Sequence, residues 1–133
     1  MKNIMIQVCA KRGGSPWGLK GLPMFTKPVM IIGIDAQHNI GRNKESVLGF
    51  SATMDRYCSK YFSDTVVKPK EEVKGSPIDV VFELETLFQR SILKFKEING
   101  RSPEQIIVYR DAVSEGQTER TLKIEVPMLD QAI

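Results

Sequence analysis

The sequence predicts an α/β domain: a mixed sheet with flanking helices, built as a three-stranded antiparallel meander followed by a helical crossover to a further strand. Three observations carry this. Val29 to Ile34 is apolar at successive positions, as suits a strand covered on both faces. Gln105 to Arg110 repeats that pattern. Between them Val81, Leu84, Phe88, Ile92 and Phe95 recur every three or four residues, the spacing of one helix face. Each of the two apolar strands is closed by an aspartate, Asp35 and Asp111.

The elements follow in order. Asn3 to Ala10 fits a strand or the tail of a helix, and Gly13-Gly14 after Lys11-Arg12 favours a helix that stops there. Starting at Met1 inside such an element, the chain is expected to lack its natural N-terminal part. Residues 13–27, with their glycines and prolines, predict a connector of little regular structure. After Asp35 a polar loop spans His38 to Glu45. Ser46 to Met54 partly alternates and predicts a second strand, and Tyr61 to Val67 a third. Lys68 to Lys74 is charged enough to be a solvated linker. Ser76-Pro77-Ile78-Asp79 reads as a helix start, with a cap, a proline in the first turn and an acid three residues on. Asn99-Gly100 ends that helix, Gln105 to Arg110 forms the fourth strand, and Ser114 to Gln117 opens a last helix that Pro127 kinks or restarts.

At 133 residues the chain has room for one core and not two. Its hydrophobic share of 41% is modest, though ten glycines bring it close to the usual range. A net charge of +3 only weakly favours a polyanionic partner, so the position of charge matters more than its sum. Cys9 and Cys58 lack metal-ligand or disulfide-framework spacing, which predicts a reducing, intracellular home, cytoplasmic or nuclear. No apolar run approaches membrane length, so no membrane partner is expected.

A carboxylate at the end of a buried strand needs a cation, a metal or backbone donors. If the two strands pair side by side, Asp35 and Asp111 come together. Mg²⁺ takes oxygen ligands and commonly shares one or two carboxylates with substrate phosphates. Two such ions roughly 3.5–4 Å apart would activate water and stabilise the leaving oxygen of a phosphodiester. The plainer alternative is that both aspartates cap strands or pair with neighbours such as Arg110. The element order is that of RNase H-like folds, in which carboxylates on adjacent strands hold divalent metal.

The motifs add a more specific resemblance. Ile32-Gly33-Ile34-Asp35-Ala36-Gln37-His38, Gly49 to Asp55, the run Tyr109-Arg110-Asp111-Ala112-Val113-Ser114-Glu115-Gly116-Gln117 and Glu125-Val126-Pro127 together resemble the PIWI domain of the Argonaute/PIWI family. Ala10-Lys11-Arg12-Gly13-Gly14 with Trp17 is similar to the family's segment at the end of the MID domain, in its PIWI-branch form. The resemblance implies an incomplete RNase H-like PIWI domain. Residues 1–27 would be the end of a MID-like segment and connector, and 28–133 the N-terminal part of the PIWI domain.

It also implies chemistry. Asp35 and Asp111 match the family's first two catalytic aspartates and would bind Mg²⁺ or Mn²⁺. Counting back along the long helix puts the family's mobile glutamate at Asp79, one methylene shorter, where an acid favoured by the helix dipole is the simpler account. The fourth ligand lies beyond Ile133. His38 matches a histidine of the motif rather than that ligand. Lys11 matches a lysine holding the 5′ phosphate of the guide, Gln7 lies one turn earlier, and Arg110 would touch RNA backbone or pair with Asp35 or Asp111. The implied partners are a small guide RNA and its complementary target RNA, and the implied function is small-RNA-guided gene silencing. A magnesium-dependent endoribonuclease in the full-length parent and an inert truncated fragment are the alternatives. An unrelated RNase H-like nuclease or resolvase would not account for Ser114 to Gln117.

Overall fold

The computed structural model describes residues 2–21, 23–38, 46–68, 77–111, 123, 126, 127, 129 and 130. Helix α1 (Lys2–Lys11) comes first, then a 3-10 turn at Pro23–Thr26 within the connector expected to be irregular. Strands β1 (Val29–His38), β2 (Ser46–Thr53) and β3 (Tyr61–Lys68) follow, then helix α2 (Pro77–Asn99) and β4 (Gln105–Arg110). The sheet order is β3-β2-β1-β4. β1 and β2, and β2 and β3, are antiparallel, while β4 runs parallel to β1. The meander and the crossover are therefore as expected.

α1 ends where its glycines require. The Gly13 amide donates to Ala10 O at 3.0 Å and that of Gly14 to Cys9 O at 2.9 Å, with Gly13 in the left-handed region at φ 79°. A Cβ on Gly14 would lie 2.5 Å from Cys9 Sγ, so only glycine fits. None of the buried hydrophobic residues belongs to α1.

The core lies between α2 and one face of the sheet. Met30, Ile32 and Ile34 from β1 and Leu48, Phe50 and Ala52 from β2 meet Leu84, Leu87, Phe88 and Phe95 of α2. This departs from one expectation: among the described residues β1 is covered by a helix on a single side, and Ile31 and Gly33 on the other are only half-buried. Ile92 is partly buried as its spacing predicts, whereas the side chain of Val81 lies outside the described residues. The end of α2 is tied to the sheet by Asn99, whose Nδ2 donates to Met54 O at 2.9 Å and to Phe95 O at 2.8 Å. Ser114 to Gln117 and the linker beyond Lys68 lie outside the described residues. Leu129 packs against the core.

Candidate active site

The parallel register of β1 and β4 pairs Ile34 with Arg110. One step further the Asp111 amide donates to Ile34 O at 2.9 Å. Asp35 and Asp111 thus lie side by side as expected, although Asp35 does not end its strand: β1 continues through His38 with Asp35 paired to Gly49, and only Asp111 lies just past its strand. Asp35 lies on the sheet face turned away from α2, because Ile34, its neighbour in the alternation, is buried on the other face, and Asp111 lines the same depression as Asp35. Both are exposed.

Two cross-strand rows complete the surface. In one, Tyr109, Gly33, Ser51 and Ser63 are successive partners; in the other, Asp35, Gly49 and Thr65 continue from Asp111. Together they line an open depression of about 630 Å³. Its floor is low because Gly33 and Gly49 carry no side chain, and a Cβ on Gly33 would meet nothing within 4 Å. Ser51 Oγ and Ser63 Oγ lie 3.1 Å apart and share a hydrogen bond. The half-buried Arg110 donates from Nη1 to the backbone carbonyl of Asp111 at 2.8 Å, which fastens the strand end beneath the carboxylate.

The remaining expected residues fall elsewhere. Asp79 is in the first turn of α2 and His38 ends β1, but both side chains lie outside the described residues. Gln7 and Lys11 are exposed on one side of α1, four residues apart. Among the described residues no group of three His, Cys, Asp or Glu side chains could hold a metal ion. Two adjacent, exposed carboxylates form an oxygen donor pair suited to a hard divalent cation that completes its shell with water and phosphate, and unsuited to a closed structural site.

One ordered acid was not read as a separate feature from sequence. Asp55, in the β2–β3 turn, accepts hydrogen bonds from the Ser59 amide at 2.8 Å, the Ser59 hydroxyl at 2.6 Å and the Lys60 amide at 2.9 Å. Burial alone would push its carboxyl up; these bonds, with one from the Tyr57 amide, outweigh it and hold it below the ordinary value. Burial, and then the Asp55 charge, push the Cys58 thiol up. The available signal was an aspartate just after a strand with a serine four residues on, a turn-forming pattern. The Ser51–Ser63 pair gave less warning, because its register depends on how the hairpin closes.

The topology, with Asp35 and Asp111 on the neighbouring strands β1 and β4, is that of the RNase H-like fold. Comparison with known proteins agrees. The Piwi domain profile matches residues 1–133, and the chain belongs to that family. It is 33% identical to Protein argonaute-3 of Drosophila melanogaster over 98% of its length, and 32% identical to Piwi-like protein 1 of Gallus gallus over 93%. It spans only 14% and 13% of those relatives. The QDE-2 AGO MID-PIWI domains of N. crassa share the fold, with a TM-score of 0.81 at 23% identity over 98% of this chain and 38% of that one. So does Kluyveromyces polysporus Argonaute, solved with a guide RNA, with a TM-score of 0.77 at 21% identity over 98% of this chain and 16% of that one. Among the described residues no helix is long and apolar enough to cross a membrane.

Proposed function

We propose that this chain serves small-RNA-guided gene silencing, and that Asp35 and Asp111 are its half of a divalent-metal site over which guide-paired target RNA is placed. The supporting observation is the parallel β1–β4 register, which sets the two aspartates beside each other at a depression lowered by Gly33 and Gly49. Asp35 and Asp111 would hold Mg²⁺ or Mn²⁺, and the bound ion would supply Lewis-acid activation of water and neutralisation of the departing oxygen. The chain's own residues position. Arg110 fixes the backbone that carries Asp111, Gly33 and Gly49 let a nucleic-acid backbone approach, and Asp79 adds a third acid from the start of α2. Gln7 and Lys11 hold the 5′ phosphate of the guide on α1, which belongs with residues 1–27 to the preceding MID-like segment, while 28–133 begin the PIWI domain. The test is Mg²⁺-dependent cleavage of a guide-matched RNA by the longest gene product that contains this chain. Cleavage that persists in both Asp35→Ala and Asp111→Ala would remove the assignment.

A second reading keeps guide and target binding without cleavage. It is favoured by the shorter reach of Asp79 where the family has glutamate. In the same gene product, a 5′-phosphorylated guide should bind more tightly than its 5′-hydroxyl form, and Lys11→Ala should narrow the gap. Equal binding of both guides would argue against the phosphate role.

A further inference from the structure

A second surface lies at the other end of the sheet, where β2 turns into β3. Asp55 pins that turn from inside through Ser59 and Lys60, and the Tyr61 hydroxyl donates to Cys58 O at 2.8 Å. The connector after α1 is laid along it. The Leu19 amide donates to Tyr57 O at 2.9 Å, and Gly18 sits so close that a Cβ there would be 2.7 Å from the Cβ of Tyr57. Two segments distant in sequence are thereby held together with their large side chains outward: Trp17, Leu19 and Tyr57 are 63%, 52% and 45% exposed.

The two segments that form this patch carry cations. The Arg56 guanidinium lies over the Tyr57 ring, 5.5 Å from its centroid, and Lys20 and Lys60 adjoin it in the chain, both exposed. No acid precedes Asp35 anywhere in the sequence, while Lys2, Lys11, Arg12, Lys20 and Lys27 do. The one carboxylate of the turn, Asp55, is occupied by the turn's own donors.

We infer that the Trp17–Leu19–Tyr57 surface docks an acidic protein segment that carries an aliphatic or aromatic side chain. Tryptophan, tyrosine and arginine are the residues that dominate protein-binding energies. Arg56 over Tyr57, with Lys20 and Lys60 exposed on the same two segments, favours a partner of opposite sign. Single-stranded RNA fits less well. Leu19 has no face for a base to stack on, and Arg56 already covers one side of Tyr57.

The experiment is selection of a random peptide display library on the immobilised 133-residue chain. Enriched peptides are then synthesised and titrated while the emission of Trp17, the single tryptophan, is followed. Enriched peptides should carry net negative charge with a leucine or an aromatic residue, and should shift the Trp17 emission to the blue. Arg56→Glu should weaken them about tenfold or more. Lys20→Glu should act in the same direction and answers the question if Arg56→Glu disturbs folding. Enrichment without acidic bias, affinity unchanged in both variants, or a Trp17 response to oligouridylate where acidic peptides give none would each overturn the assignment.

Discussion

On the side of the sheet beneath α2, β1 places Met30, Ile32 and Ile34, which are almost wholly buried. On the other side the same strand places Ile31, Gly33 and Asp35, half-buried or exposed. The strand's period of two thus separates stability from chemistry residue by residue. A change on the α2 side should unfold the domain, whereas one on the open side should alter what the surface binds or cuts and leave the fold standing.

The largest expected effect tests the covered side. Phe88 is 1% exposed and central in α2, so Phe88→Ala should cost about 3–5 kcal/mol, a large share of what a small domain has in hand. Urea denaturation of the two chains measures it. On the open side, Asp35→Ala or Asp111→Ala should change stability by no more than about 0.5 kcal/mol. Cleavage by the longer gene product should nevertheless fall about 10²–10³-fold, the scale of losing one electrostatic stabiliser at a reaction centre. A large loss of stability in the aspartate variants would mean the two faces are not separable.

A paired substitution sharpens the contrast with smaller changes. Ala52 is 0% exposed under α2, so Ala52→Leu should overpack the core and cost about 1–3 kcal/mol. Gly33→Ala adds a methyl where nothing lies within 4 Å, and should shift the urea midpoint by an amount equivalent to less than about 0.5 kcal/mol. If Gly33 keeps the floor low for an RNA backbone, the same change should reduce target cleavage while leaving the midpoint in place.

Much of this contrast was legible in the letters. The neighbouring aspartates of β1 and β4, and the crossover that makes those strands parallel, follow from apolar runs and one strong helical period, whereas the extension of β1 past Asp35 to His38 depends on pairing with β2. The open face was misread because an unbroken apolar run looks alike whether one or both sides are covered; packing decides, and α2 covers one. Leu87 and Ser91 fell outside the predicted stripe of α2 yet are buried, since a helix lying across a sheet hides more than its central row. The Asp55 turn was least legible, because its donors are brought to the carboxylate only when β2 and β3 pair.

That turn supplies a pH-dependent prediction. The folded Asp55 carboxyl titrates below its ordinary value of 3.8, so the hydrogen-bonded anion stabilises the fold at pH above 3.8. The contribution is lost as pH falls through the lower, folded value. Asp55→Ala should therefore cost about 1–2 kcal/mol at neutral pH. Urea midpoints of the two chains should converge as the pH is taken below 3.8; a gap that stays constant would show that the anion's bonds are not its source.

On the covered side the smallest effect lies at its edge. Arg90 on α2 reaches Asp64 on β3 at 2.7 Å and lies over the Phe62 ring, 5.7 Å from its centroid. The guanidinium side chain is 56% exposed, so water and salt screen the pair. Arg90→Ala should cost about 0.2–1 kcal/mol, and added salt should remove part of that difference. The part that survives high salt measures the stacking on Phe62, which belongs to the core and not to the charge. A penalty insensitive to salt would assign the whole contact to packing, and would extend the α2 side of the comparison out to the β3 edge.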